Sequence, residues 1–179
     1  MHTRQPLPRL WLMTDERLGD SLMFAVDRLP PGAGIVFRHY RTDAGARRVL
    51  FDQIRARRAD VLLLLAGPAE EARAWGADGS HGRGSGDGLR TAPAHDLAEL
   101  RAADAAGVAA AFVSPVFATR SHPDALVLGP DGFERLAASA RLPLIALGGM
   151  TATRFALLKG AYGWAAIDAW TAPDRDGDG

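Results

Sequence analysis

The sequence contains no cysteine, and its only lysine is Lys159. The absence of cysteine excludes disulfides, thiolate nucleophiles and zinc sites of the cysteine type. A mechanism that needs an amine side chain has one candidate, and Lys159 lies late in an amphipathic segment. Any cluster of positive charge must therefore be built from arginines.

Net charge and long apolar runs are also missing. The 21 basic and 21 acidic residues balance to zero, so we expect neither nucleic acid nor an anionic membrane surface as a partner. No apolar run approaches the roughly 20 residues that span a bilayer, and the N-terminus lacks a signal-peptide core. We expect a cytoplasmic protein without membrane contact.

Apolar runs typical of buried parallel strands alternate with amphipathic runs typical of helices. Eight strands are predicted: Leu10–Met13, Gly34–Phe37, Val61–Leu65, Asp78–His81, Leu89–Ala92, Ala109–Val113, Leu144–Leu147 and Trp164–Ile167. Six helices are predicted between them: Ser21–Arg28, Ala44–Arg58, Ala69–Trp75, Asp96–Ala106, Gly132–Ala140 and Thr151–Leu158. Asp96 and Thr151 are predicted N-caps.

This alternation predicts a compact (β/α)8 TIM barrel in a single domain over residues 1–170. The glycine-rich stretch Gly82–Gly88 cannot form a stable helix, and no room remains for one after the eighth strand, so the helices after strands four and eight should be shortened or missing. Residues 171–179 are predicted to be a flexible acidic tail. A homodimer that covers the exposed barrel wall is a hypothesis.

Paired glycines, Gly148 and Gly149, follow the seventh predicted strand, and a buried strand follows about twenty residues later. Glycine lets an anion approach backbone N–H groups, so this pair is a candidate phosphate cup at the barrel rim. A tight structural turn is the alternative interpretation, and the sequence leaves both open.

Five segments together resemble the thiamine phosphate synthase family, which includes the related thiazole tautomerases. They are Leu10–Asp15, Ala77–His81, Ala111–Thr119, Ile145–Met150 and Gly160–Gly163. The resemblance implies a compact barrel that joins a pyrimidine diphosphate to a thiazole phosphate and releases pyrophosphate with the help of Mg²⁺. The implied partner is thus a small phosphorylated ligand.

The resemblance also implies roles for individual residues. Arg38 matches the diphosphate-binding arginine, and His122 stands at a loop lysine of the family, so both are candidate catalytic residues. The candidate substrate- and phosphate-binding residues are Thr119, Ser121, Gly148, Gly149, Ile167 and Asp168.

Several positions depart from the family pattern. Tyr40 replaces a lysine, Gly67 replaces the first magnesium aspartate, and Asp87 lies only near the position of the second. Pro93 replaces a serine that contacts the diphosphate, and Pro115 replaces the catalytic histidine of the tautomerases. Two hypotheses remain: an enzyme of this family, or a degenerate barrel that binds a phosphorylated or thiamine-like ligand without catalysis.

Three histidines, His81, His95 and His122, are predicted to surround the barrel mouth, where they could bind a metal, transfer protons or form structural hydrogen bonds. Asp15 matches a position of the family at the end of the first strand, where a ligand role and a structural hydrogen bond are equally open. His39 should be structural. The arginine-rich helix over residues 44–58 is interpreted as a solvated face rather than a nucleic-acid surface.

Overall fold

A computed structural model describes residues 6–119 and 126–171 of the chain. Eight parallel strands, β1 to β8, form a closed barrel in which each strand pairs with the next and β8 pairs with β1. The strands span Leu10–Met13, Gly34–Phe37, Leu62–Ala66, Gly79–His81, Leu89–Ala94, Ala110–Val113, Leu144–Leu147 and Gly163–Ala166. The predicted TIM barrel is therefore confirmed.

Within the described residues, six α-helices, α1 to α6, lie between the strands. They span Ser21–Arg28, Ala44–Arg57, Ala69–Trp75, Leu97–Ala105, Gly129–Ser139 and Ala152–Phe155. In the described part of the chain, no α-helix follows β4 or β8, as predicted. Short 3₁₀ helices over Glu16–Leu18 and Asp168–Trp170 follow β1 and β8.

Two helices differ from their predicted bounds by more than one residue at an end. The predicted helix over Thr151–Leu158 ends at Phe155, because the next turns close with i→i−3 bonds, from Leu157 N to Arg154 O and from Leu158 N to Phe155 O. The helix predicted from Gly132 begins at Gly129 instead, because Pro130 is accommodated in its first turn.

The predicted N-caps are confirmed. The Asp96 carboxylate accepts a hydrogen bond from Glu99 N at 2.8 Å, and the Thr151 hydroxyl accepts one from Arg154 N at 3.2 Å. The Glu99 carboxylate in turn accepts from His95 N at 2.9 Å, one residue before the cap. This last contact fixes the end of β5 to the first turn of α4.

A large aromatic residue fills the barrel interior. Trp11 is fully buried, meets the Phe112 ring edge-on at 5.2 Å, and donates its indole N–H to Pro8 O at 2.7 Å. On the neighbouring strand, a Cβ at Gly34 would lie 2.1 Å from the Trp11 ring. Because glycine has no side chain, the Trp11 ring can pack against position 34 while β1 and β2 remain paired.

The short 3₁₀ helix after β8 packs back on that strand. Trp170 stacks on Trp164 with ring centroids 5.3 Å apart, and its indole N–H donates to Trp11 O at 3.1 Å. This contact fixes the loop after β8, where the candidate phosphate-binding residues lie.

Candidate functional site

A cavity of about 600 Å³ opens at the carboxyl ends of the strands. Seven of the eight strands contribute a residue at or just beyond their ends: Met13, Arg38, His81, Pro93, Ser114, Leu147 and Ala166. This is the end at which barrels of this kind build their binding sites. Among the described residues, those at the end of β3 do not line it.

Gly148 and Gly149 form one side of the cavity. Both adopt left-handed backbone conformations, with φ of 95° and 59°. A Cβ at Gly148 would lie 2.8 Å from Pro115 Cα, and one at Gly149 would lie 2.4 Å from Ala118 O. Backbone geometry and packing therefore both require glycine at these two positions. Because neither residue has a side chain, their backbone atoms are directly accessible from the cavity.

The residues that follow β8 lie beside this glycine pair. Ile167 and Asp168 line the cavity, and the Asp168 carboxylate accepts a hydrogen bond from Arg17 Nη2 at 2.9 Å. A free carboxylate next to a phosphate cup would repel the ligand. Here the guanidinium of Arg17 offsets that charge.

Arg38 lies just beyond β2 and is held in place by hydrogen bonds to Thr14 and Asp15. Its Nε donates to Thr14 O at 2.7 Å, its Nη2 donates to the Asp15 carboxylate at 2.9 Å, and its backbone N donates to the Thr14 hydroxyl at 2.9 Å. Burial lowers the pKa of Arg38, and the Asp15 carboxylate counteracts this. The described contacts leave Nη1 without a bonded acceptor, so Arg38 presents charged N–H groups to the cavity.

The two residues that follow Arg38 in sequence have different roles. His39 is buried, stacks on the Phe37 ring at 4.8 Å and hydrogen-bonds to the Thr14 hydroxyl at 3.0 Å, so it has a structural position. Its φ of 43° turns the chain after β2. Tyr40 lines the cavity and is 65% exposed, which places it at the mouth.

Arg83 follows β4, two strands along the barrel from β2, and lines the same cavity. Its Nη2 lies 2.7 Å from the Glu99 carboxylate and 3.2 Å from His95 Nδ1. His95 Nδ1 also lies 2.7 Å from Glu99. Burial raises the pKa of Glu99, but hydrogen bonds from His95 and Arg83 outweigh it and lower this pKa to about 2. Glu99 therefore stays anionic and anchors both partners.

His81 ends β4 at the floor of the cavity. Its Nδ1 lies 2.9 Å from the Thr91 hydroxyl, and its ring meets Phe112 edge-on at 4.9 Å. Burial lowers the pKa of His81 to about 3, with smaller contributions from the charges of Arg38 and Arg83. His81 is therefore neutral at physiological pH.

The structure brings together most of the predicted site residues. The cavity collects Arg38, Tyr40, His81, His95, Thr119, Gly148, Gly149, Ile167 and Asp168. Ser121 and His122 lie outside the described residues. Asp87 is placed elsewhere, because its side chain is 99% exposed and faces Arg73 at 3.9 Å on the outer wall.

Sequence reasoning missed two arginines that line the cavity, Arg17 and Arg83. Arg17 lies in the short 3₁₀ helix after β1, and Arg83 lies in the glycine-rich stretch after β4. A signal was present, because loops at the carboxyl ends of barrel strands face the site. A systematic search of those loops for cations would have found both.

The side chains do not fit the magnesium ion that the resemblance implies. At the end of β3, the Ala66 carbonyl accepts from Arg47 and Gly67 N donates to His81 O. The nearby Glu71 carboxylate is paired with Arg47 at 3.0 Å. Within the described chain, Asp168 is the only carboxylate that lines the cavity, and no three acidic or histidine side chains are grouped for a metal. Mg²⁺ prefers several oxygen ligands, and we assign no step to it.

No helix in the described part of the chain is both long and apolar enough to cross a membrane.

Fold and site together define a compact (β/α)8 barrel whose rim cavity combines arginines with glycine backbone. A family model described as thiamine monophosphate synthase matches residues 10–170. The chain belongs to this family, which serves thiamine biosynthesis and binds phosphorylated substrates.

Individual relatives agree with this assignment. A thiamine-phosphate synthase of Chloroflexus aurantiacus is 29% identical, covering 93% of this chain and 86% of the relative. A putative thiamine-phosphate synthase 2 of Aquifex aeolicus is 27% identical, covering 90% of this chain and 96% of that protein. The solved structure of a thiamine phosphate pyrophosphorylase from Pyrococcus furiosus superposes with a TM-score of 0.73 at 23% identity, covering 93% and 89% of the two chains, and supports the fold.

Proposed function

We propose that the protein joins a pyrimidine diphosphate to a thiazole phosphate in the rim cavity and releases pyrophosphate. The observation that carries this proposal is the placement of Arg38 and the Gly148–Gly149 pair in one cavity of about 600 Å³. A transfer between two phosphorylated substrates needs two anion sites that share one space. Membership of the thiamine monophosphate synthase family supports the same reaction.

The chemistry makes specific demands on the site. The bond between the pyrimidine methylene carbon and a pyrophosphate oxygen breaks, and the thiazole nitrogen forms a new bond to that carbon. Pyrophosphate leaves with the bonding electrons, so negative charge grows on the oxygen that was bonded to the methylene carbon. Cationic donors that face this oxygen stabilise the transition state more than the ground state.

Arg38 is the first candidate for this task. Its contacts to Thr14 and Asp15 hold the guanidinium in place and leave Nη1 free to donate to the leaving group. Such pre-organised donors contribute without reorganisation during the reaction. Arg38 is therefore proposed as a catalytic residue.

The thiazole phosphate is assigned to the other side of the cavity. The backbone at Gly148 and Gly149, with Ile167 and Asp168 after β8, would donate N–H groups to its phosphate oxygens. The pairing of Asp168 with Arg17 makes this assignment chemically reasonable, since it removes the repulsion that a free carboxylate would cause. Thr119 lines the cavity, and with Ser121 and His122 it is proposed to contact the same substrate.

A second candidate function is binding of a phosphorylated or thiamine-like ligand without transfer. It is favoured by one observation: Tyr40, a neutral phenol, stands at the cavity mouth where the family carries a lysine. In this case the product side of the site would still bind thiamine phosphate. Catalysis would be lost because, without the lysine, the negative charge of the departing pyrophosphate is not sufficiently neutralised.

The two candidates are separated by incubating the protein with both substrates and measuring thiamine phosphate and pyrophosphate. Equimolar products, with a strong decrease in the Arg38→Ala variant and none in Arg48→Ala on the outer face of α2, support the transferase. No product, with a thermal shift on adding thiamine phosphate, supports the binding barrel. Neither product nor any shift contradicts both.

A further inference from the structure

Two arginines approach the floor of the cavity from different strands. Arg38 follows β2 and Arg83 follows β4, and both line the cavity with His81. The positive charges of both also depress the pKa of His81, after the larger effect of burial. Both guanidiniums therefore border the cavity whose floor contains this buried ring, where one ligand could contact both.

Arg83 is held in place while part of its guanidinium remains available. Glu99 and His95 both lie within hydrogen-bond distance of Nη2, and the described contacts place no acceptor on Nε or Nη1. Its side chain is 58% exposed, whereas that of Arg38 is 21% exposed. Arg38 thus forms a fixed, deep contact and Arg83 an outer one that can close on a ligand.

The carboxylates around the cavity are already occupied by arginines. Asp15 accepts from Arg38 at 2.9 Å, Asp168 from Arg17 at 2.9 Å, and Glu99 from Arg83 at 2.7 Å. A divalent cation would have to displace a guanidinium to obtain a ligand from any of these three carboxylates. The site supplies its positive charge through arginine instead.

We propose that Arg83, together with Arg38, binds the diphosphate group directly and that this chain does not need a divalent metal ion for that contact. This inference rests on the proposed function, because it assumes a diphosphate substrate. Each guanidinium can donate two N–H groups to one phosphoryl group, and two guanidiniums match the two phosphorus centres. Arg83 is then a diphosphate-binding residue that takes over charge otherwise supplied by a metal.

The test is calorimetric titration of the intact protein with inorganic pyrophosphate, once in EDTA and once with excess Mg²⁺. We expect binding in EDTA to be at least as tight as binding with Mg²⁺. Pyrophosphate that binds tenfold or more tightly with Mg²⁺ would overturn the inference. This comparison uses the unmodified protein, so it does not depend on the folding of a variant.

Variants then locate the contact. Arg83→Gln should weaken binding in EDTA by about tenfold, because a charge-assisted hydrogen bond is lost, and Arg83→Lys should recover part of the affinity. Arg101→Gln removes the same charge from an exposed position on α4 that does not line the cavity and should leave binding unchanged. Unchanged affinity in Arg83→Gln, or an equal loss in Arg101→Gln, would overturn the role of Arg83.

Titration with thiamine phosphate distinguishes this failure from failure of the proposed function. If thiamine phosphate binds but pyrophosphate binds only with Mg²⁺, the proposed function stands and the metal-free contact is wrong. If neither ligand binds under either condition, both proposals are wrong.

Discussion

Arg17 and Asp168 are separated by most of the sequence, yet Arg17 Nη2 lies 2.9 Å from the Asp168 carboxylate. The pair joins the loop after β1 to the loop after β8 across the closing strand pair of the barrel. It neutralises the one carboxylate that, within the described chain, lines the cavity, on the side proposed to bind phosphate.

Removing the partner of Asp168 should weaken phosphate binding. In Arg17→Gln the carboxylate stays charged beside the glycine backbone, and we expect the affinity for thiamine phosphate to fall by about fivefold, equivalent to roughly 1 kcal/mol of partly screened repulsion. Calorimetric titration measures this. The double variant Arg17→Gln with Asp168→Ser should recover the affinity. An unchanged affinity in the single variant would show that Asp168 does not face the bound phosphate.

Thr14 should position Arg38 without touching the ligand. Its buried hydroxyl accepts from Arg38 N at 2.9 Å and bonds to His39 Nδ1 at 3.0 Å. Thr14→Val leaves that backbone N–H unpaired and should cost about 1–3 kcal/mol in the free energy of unfolding, measured by urea denaturation. Pyrophosphate affinity should fall as well, whereas the exposed Thr153→Val should change neither quantity. A destabilised Thr14→Val protein with full affinity would show that Arg38 is held by its other contacts.

The barrel interior should not tolerate a methyl group at position 34. A Cβ there would lie 2.1 Å from the fully buried Trp11 ring. Gly34→Ala should therefore lower the free energy of unfolding by at least about 1–3 kcal/mol. The matched control is Gly45→Ala in the first turn of α2, where the nearest contact is Asp43 Oδ1 at 3.4 Å. Helix propensity predicts an unchanged or slightly higher stability for the control. Equal effects in both variants would contradict the packing of Trp11 against β2.

His81 should make the protein less stable as the pH falls below neutrality. Its folded pKa is about 3, against an ordinary value of 6.5. Between these values the unfolded chain binds a proton that the folded protein does not, so stability is complete above pH 6.5 and is lost towards pH 3. This group alone should lower stability by about 2 kcal/mol from pH 7 to pH 5.

Chemical denaturation at several pH values checks this slope. Burial also lowers the pKa of His39, which contributes in the same direction, so the relevant quantity is the difference from His81→Asn. The variant keeps a polar group near Thr91 but cannot be protonated in this range. An identical slope in both proteins would show that His81 is not buried in neutral form.

Much of the fold was predictable from sequence because parallel barrel strands are buried on both faces and appear as continuous apolar runs. The bounds of β1, β2 and β7 agree with the predicted ones residue by residue. The error at α6 has a local cause, since the apolar pattern continues past Phe155 while the backbone tightens into i→i−3 turns. The apolar pattern of a sequence indicates which residues are buried. It does not determine whether a backbone N–H bonds to the carbonyl three or four residues earlier.

The candidate site was predictable only in part. Family resemblance and strand ends point to Arg38, Gly148 and Gly149, and all three line the cavity. The pairing of Arg17 with Asp168 and that of Arg83 with Glu99 were not predicted, because such contacts depend on how closure of the barrel brings distant loops together. The sequence therefore identified the positions that depart from the family pattern, but not the contribution of Arg17 and Arg83 to the cavity.

The most direct measurement is a crystal structure of the protein grown with thiamine phosphate and pyrophosphate in the absence of divalent metal. The account predicts the phosphate of thiamine phosphate on the backbone of Gly148 and Gly149, and pyrophosphate between Arg38 and Arg83. Ligands bound outside the rim cavity, or pyrophosphate contacting neither arginine, would contradict it.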